Sequence, residues 1–450
     1  MSGLISQLEI ARRALQAQQN LLSVVSHNIA NANTPGYTRQ VALLGATDPV
    51  DYFPGQLGTG VTVTQIRRMR DTLADVQTRM QSSNAGRWGV RENVFGQLEA
   101  VFKEPSDNGL SATLGKFFDS YQVLANHPED LSAKAAVMNQ ARSVVDTFHG
   151  LAAQLQSISD NVDGQIKGDL IKFNSNLQQI AALNTQIAAV TSAGEQPNDL
   201  RDRRDMLLDE ISGMADISFD EHRAGVVTVR VGGLNLVDGD QVRTVSGVAN
   251  VGGRMVMQTT DGNSAPVLRG EIAALEELKV NTLPGYKTQL DTLAATFASQ
   301  VNAIQSTGPT GASIFSGSTA AGLGLDPLTE ANPGRIDTGT SGAPGDNSLA
   351  LRLAGLRDTL TMSGGTTTFH GFYEGIVGSV GASSAQAIDM SQNQRLLLQQ
   401  MQNQREAVGG VNNEEEMTHL LTAQKSFQAA SQLVTAVDTM MSTILAMVAR

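Results

Sequence analysis

The residues best placed to do chemistry are the alternating charges of DLRDRRD, Asp199 to Asp205. Carboxylates this close together can share a proton or a cation, which is what acid–base or metal chemistry needs. At helical spacing, though, Asp199 meets Arg203 and Arg201 meets Asp205 one turn on, and such pairs belong to a solvated helix face. The pattern therefore predicts surface ion pairs. The histidines (His27, His127, His149, His222, His370 and His419) never fall in HxxxH or HExxH spacing, so no local zinc site is expected. No GxSxG elbow, P-loop or GxGxxG fingerprint occurs. The chain has no cysteine, which excludes disulfides, thiolate chemistry and cysteine-based zinc sites. No catalytic residue, cofactor or metal ligand is expected, and the chain reads as a non-enzyme. A carboxylate pair brought together only by folding would escape this reading.

Composition points the same way. The 450 residues suggest two to four domains, because single cores rarely grow past roughly 250–300 residues. Hydrophobic residues make up 41% but aromatics only 4%, so the cores rest on aliphatic side chains and suit helices. With Lys+Arg at 32 against Asp+Glu at 44, no basic surplus exists to neutralise phosphates, so nucleic acid is not an expected partner. No polybasic run addresses an anionic membrane. No stretch of about 18 apolar residues occurs either, so no membrane insertion is expected. Arg12 and Arg13 are not followed by a continuous apolar core, so the N-terminus does not read as a cleaved signal peptide.

The elements that would position such residues are mostly helices. Leu4, Leu8, Ala11, Leu15, Gln18, Leu22, Val25 and Ile29 recur in steps of three and four, a heptad-like seam with one polar interruption. NANTPGY stops it, since Pro35 disfavours helix at Thr34 and Gly36 supplies a turn. The C-terminus repeats the pattern: Leu420, Phe427, Val434, Met441 and Val448 lie seven apart, with Ala423, Ala430, Val437 and Ile444 three residues later. Glu414, Glu415 and Glu416 would begin that helix, where acidic residues favour the helix dipole. Further helices are expected over 70–104, 111–126, 198–214, 270–305 and 369–408. A long one runs from about 131 to 193, with a break expected near Gly150 and bends at Gly164 and Gly168. Period-two runs such as VVTVRV and LNLV, with the turn VDGD, make 216–269 a small β module. Residues 307–347, rich in Gly, Pro, Ser and Thr, read as a linker or irregular excursion.

The predicted fold class is mainly α with a small β domain: paired terminal coiled-coil helices, a long-helix bundle and an inserted β-rich domain on a nested chain path. Residues 1–45 with 409–450 would form an inner terminal-helix domain. Residues 46–215 with 270–306 and 348–408 would form the helical bundle, 216–269 the β domain, and 307–347 the linker. Periodicity alone leaves open whether the terminal helices pair with each other or with neighbouring copies.

The stretch NLLSVVSHNIANANTPGYTRQ resembles the signature of bacterial flagellar rod, hook and hook-associated proteins, with SxNIANxNTPGYxR at its heart. GEQPNDLRDRRDMLLDEISGMADISF, NSLALRLAGLRD with SGGTTTFHGFYEGIVGSVG, and GVNNEEEMTHLLTAQKSFQAASQLVTAVDTMMSTIL resemble segments of the FlgK family of hook-associated proteins. Two departures stand out: Asn413 replaces an aspartate, and the outer domain of longer members is absent from 307–347. The resemblance implies a structural subunit of the hook–filament junction, exported through the flagellar type III pathway to the extracellular flagellum. It implies as partners other copies of the chain, the hook protein, the second junction protein and a cytosolic export chaperone on the C-terminal segment. The residues it marks for assembly are Leu4, Leu8, Leu15, Leu22, Asn28, Asn31, Thr34, Pro35, Gly36, Tyr37, Leu420, Phe427, Val434, Val437, Met441, Ile444 and Val448. The alternatives are another axial protein (hook or distal rod), an exported enzyme active in the central β region, and a cytosolic coiled-coil adaptor.

Overall fold

The computed structural model describes residues 2–52, 55–102, 106–107 and 109–448, without the side chains of Ser2, Tyr52, Arg223 and Val448. The chain opens with helix α1 (Ser2–Asn31). An antiparallel hairpin follows, built from β1 (Gln40–Ala46) and β4 (Val61–Arg68) and extended by the short pair β2 (Val50–Tyr52) and β3 (Gly55–Leu57). This hairpin lies against α1. Its alternation is too uneven to stand out in the sequence, where residues from 46 onward were grouped with the helices.

The bundle is made of α2 (Thr72–Val101), α3 (Leu110–Asn126), α4 (Leu131–Ser192) and α5 (Asn198–Met214). After the β module come α6 (Glu271–Glu277), which passes through a π-helical turn at Leu278–Thr282 into α7 (Leu283–Gln305), and finally α10 (Phe369–Gly409). Asp71 caps α2, its carboxylate accepting the N–H groups of Leu73 and Ala74, and Asp130 caps α4, accepting the N–H of Ser132. The expected break in α4 does not occur: the helix runs unbroken for 62 residues through Gly150, Gly164 and Gly168. Each interior glycine costs about 1 kcal/mol relative to alanine. The buried stripe of Phe148, Leu151, Leu155, Ile158, Val162, Ile166 and Phe173 spans all three glycines and offsets that cost.

A small β-rich region occupies the middle of the chain. Strands β5 (Ile217–Glu221), β6 (Val227–Val231), β7 (Leu234–Asp238) and β8 (Gln241–Val242) form one antiparallel sheet. Strands β9 (Val245–Val251), β10 (Arg254–Thr259) and β11 (Ser264–Pro266) form a second. Gly239, at φ +63°, makes the VDGD turn.

Residues 307–347 are a packed excursion and not a linker. They fold back through β12 (Phe315–Ser316), β13 (Gly324–Leu325) and α8 (Pro327–Ala331), before α9 (Ser348–Gly355). Ile314, Phe315, Leu323 and Ile336 enter the bundle core, and Asn302 Oδ1 accepts the N–H groups of Ile314 and Phe315. A few large apolar residues suffice for this, and the surrounding Gly and Thr concealed them.

Two apolar cores result. One fills the bundle around Phe117, Phe118, Phe297 and Phe369; the other joins α4 and α5 to the β module through Phe173, Ile180, Leu208, Val229 and Met257. Helix α4 contributes to both. The last helix, α11 (Asn413–Val448), returns along α1.

Candidate assembly interface

Helices α1 and α11 pair antiparallel, with Asn28 beside Glu416 at one end and Leu4 beside Met440 and Ile444 at the other. Along the two helices Ala11, Ala17, Val24, Val25, Ala423 and Val437 are buried. The predicted seam residues Leu4, Leu8, Leu15 and Leu22, and Leu420, Phe427, Val434 and Met441, are half-buried. Ile444 is exposed, and the Val448 side chain lies outside the described residues. Periodicity also missed a row on α11 beside the seam, where Leu433, Met440 and Met447 repeat at seven-residue spacing; Met440 borders Leu4, yet the row stays exposed, as do Leu421 and Leu445. Met440 is 54% exposed and Met447 71%. A soluble monomer seldom leaves such a row uncovered.

The signature turn closes the other end of the pair. α1 ends at Asn31, and Gly36 at φ +77° reverses the chain against the Met206 side chain, which a Cβ there would strike. Asn28 is the hub of this turn. Its Nδ2 donates to the Gln40 carbonyl and to Glu416 Oε2, both at 2.9 Å. Its Oδ1 accepts the Tyr37 hydroxyl at 2.8 Å and the Gln40 N–H at 3.0 Å. All four hydrogen-bonding positions of the buried amide are thereby filled. Arg39 Nε donates to Glu416 Oε1 at 2.8 Å and its Nη1 to Glu415 at 3.1 Å. Asn31 bonds the His27 carbonyl, and Thr34 bonds Asn31. Pro35 is exposed at the apex. Burial, then Asp199, Asp202 and Glu416, push the Tyr37 hydroxyl far up, so it stays a proton donor. The structure thus brings Asn28, Asn31, Thr34, Gly36 and Tyr37 together around the start of α11.

The expected surface ion pairs of DLRDRRD are replaced by a buried cluster. Asp202, Arg204 and Asp205 are buried, and their partners come from distant segments. Arg68 Nη1 reaches Asp202 and Asp205, both at 2.7 Å. Arg70 reaches Asp205 at 2.8 Å and Asp75 at 2.6 Å. Arg79 reaches Asp209 at 2.7 Å and Asp205 at 3.2 Å, and Arg405 reaches Asp209 at 2.6 Å. Asp199 accepts from Gln40 at 2.9 Å, and Arg201 leans toward Glu221 at 3.8 Å. Arg204 turns to the β module, meeting Asn184 at 3.2 Å and Glu221 at 3.3 Å. Burial opposes ionisation of Asp205, but Arg70, Arg68 and Arg79 outweigh it and hold the carboxyl well below the usual range. At Asp202 burial wins over Arg68 and the Thr38 N–H, and the carboxyl is pushed up. A local charge pattern cannot show partners more than 100 residues away. The usable signal was the arginine-rich IRRMR at the end of the hairpin facing three carboxylates at helical spacing.

Among the described residues, no three His, Cys, Asp or Glu side chains are placed to hold a metal ion, and no helix is long and apolar enough to cross a membrane. The comparisons with known proteins follow the same outline. Residues 8–38 match the flagella basal body rod protein family, and residues 408–447 match the C-terminal family of flagellar basal body rod FlgEFG proteins. The helical pair they cover is therefore that of a flagellar rod- and hook-type subunit. Residues 95–348 match the family described as flagellar hook-associated protein FlgK helical domain. The chain is 30% identical to flagellar hook-associated protein 1 of Bacillus subtilis, over 99% of this chain and 98% of that one. It is 31% identical to the protein of the same name from Salmonella typhimurium, over 55% and 45% of the two chains. For the Escherichia coli protein the values are 26%, 67% and 57%. In fold it resembles the flagellar hook junction protein FlgK from Burkholderia pseudomallei, with a TM-score of 0.65 at 17% identity, covering 74% of this chain and all of that one. The chain belongs to the FlgK family of flagellar hook-associated proteins, structural components of the flagellum.

Proposed function

We propose that this protein is a structural, non-enzymatic subunit that joins hook to filament, and that it assembles through α1 and α11. The observation that carries the reading is the uncovered row of Leu433, Met440 and Met447, which runs beside the face of α11 that α1 already covers. A neighbouring copy burying that row would remove it from water at about 25 cal/mol per Å². The seam residues from Leu4 to Leu22 and from Leu420 to Val448 set the helix pair that presents the row. The turn from Asn28 to Tyr37 fixes where it begins. In this reading α1, the β1–β4 hairpin and α11 form the inner unit, and the helical bundle, with 307–347 packed into it, carries the 216–269 β domain. The hook protein and the second junction protein flank the layer of subunits. An export chaperone covers α11 beforehand, since exposed Leu and Met side chains invite aggregation. The subunit reaches the cell exterior through the flagellar export path.

Removing residues 411–450 tests this. The truncated protein is expected to keep a folded β module yet fail to appear at hook tips by immunolabelling. Normal incorporation of the truncated chain would refute the reading.

A further inference from the structure

Charge is spread unevenly along the long helices of the bundle. Between 131 and 172, α4 carries eight charged residues; from 173 to 192 it carries none. From 391 to 404, α10 carries only Arg395, and Glu92 of α2 takes that guanidinium at 2.6 Å. The stretch 72–85 of α2 has two charges, Asp75 and Arg79, and both are buried. Solvated helix faces ordinarily mix charges of both signs, whereas the centres of protein interfaces are depleted of them.

Two neutral exposed faces result. On the α2–α10 pair, Gln81 Nε2 donates to the Gln394 carbonyl at 3.1 Å and to its Oε1 at 2.6 Å. These side chains meet on one side of the pair. Steps of three and four place Leu73, Gln77 and Met80 on that side of α2, and Leu397, Met401 and Val408 on that side of α10. Leu73 is 63% exposed, and Met80, Leu397 and Val408 are exposed too. The second face is on α4, where Gln178, Ala182, Thr185, Gln186 and Ala189 are exposed and Leu177, Ile180 and Ile187 behind them are buried. Helix α5 packs against both α2 and α4: Arg79 reaches Asp209, and Asn176 reaches Glu210 at 2.8 Å. The two uncovered faces therefore look away from α5 on different sides of the subunit.

We propose that these faces are the two halves of one contact between neighbouring copies, the α2–α10 face of one subunit packing against the α4 face of the next. Charge decides the partner. A charged surface laid on a neutral one loses hydration and gains no counter-charge, and the chain itself supplies a second neutral face. Because the two faces differ, the contact is head-to-tail and repeats from copy to copy, as a ring or helical layer requires. The inference rests on the assembly of copies proposed above, and it needs no order in α1 or α11 before assembly.

The chain has no cysteine, so cross-linking tests this directly. Leu397→Cys and Gln186→Cys are introduced singly and together into the full chain, and flagella with labelled hook tips are treated with a bismaleimide. The double variant is expected to give a ladder of dimers and higher oligomers, and co-assembled single variants dimers alone. Either single variant by itself is expected to give no oligomer. A second pair, Met80→Cys with Ala182→Cys, repeats the measurement at independent positions. Incorporation at hook tips without a ladder in either pair overturns the contact. So does Leu397→Cys linking to itself, which sets like against like, or to a different flagellar protein. A ladder from a chain whose 411–450 truncation still incorporates would sink the role of α11 and leave this contact standing.

Discussion

Around Phe297 and around Ala423 the same chain packs helices in two different ways. In the bundle, Phe297 stands 5.1 Å from Phe315, 5.3 Å from Phe117 and 5.6 Å from Phe369 between ring centroids, all fully enclosed. Four elements from separate parts of the chain meet there, and nothing is left for a neighbour to bury. Along α1 and α11 the buried apolar side chains are alanines and valines, and larger side chains sit half in water. The first arrangement makes a body that is complete alone. The second makes a surface that is finished only in company, with polar hubs rather than apolar mass fixing its geometry.

The contrast can be tested by substitution. Phe297→Ala should cost about 3–5 kcal/mol, with a correspondingly large fall in Tm, because the filled aromatic cluster cannot collapse around the void. Asn28→Ala should cost about 1–3 kcal/mol, since Glu416, Tyr37 and two backbone groups of Gln40 lose a buried partner. Its effect should appear in proteolysis of α11 before it appears in the bundle. Acid should act between these in kind. The folded Asp205 carboxyl lies below its unfolded value of 3.8, so its contribution is fully present above about pH 4 and fades as pH falls below that. Asp202, raised by burial, has the opposite sign and softens the loss. Asp205→Asn should therefore lower stability at neutral pH and flatten the acid limb of an unfolding titration. Leu433→Ser with Met440→Ser should shift monomer stability by no more than about 0.5 kcal/mol each, as surface changes do, yet abolish incorporation at the hook tip. A large Tm loss in that double variant would mean the row is already buried in the monomer.

Much of this contrast was readable in the residues. Seven-residue steps from Leu420 marked the helix α11, and period-two runs marked the β-rich middle of the chain. The turn at Pro35–Gly36 followed from backbone restriction alone. Features decided by distant partners were not readable. Asp202 and Asp205 looked solvated because Arg68, Arg70 and Arg79 lie more than 100 residues earlier. Phe315 looked like part of a loop because its acceptor, Asn302, and its ring partners belong to helices on either side. The continuity of α4 was hidden for another reason: glycine carries a local penalty, and only the buried stripe opposite shows that it is outweighed.

That continuity has a mechanical consequence. At 1.5 Å per residue, α4 is about 93 Å long. Its first half is set in the bundle core and its second half carries the β module. Such a helix is a lever arm. A tilt of about 5° at its bundle end sweeps the far end through about 8 Å. A change at the scale of one side chain at the bundle end would thus reach the β-module end as a displacement of more than one turn of helix.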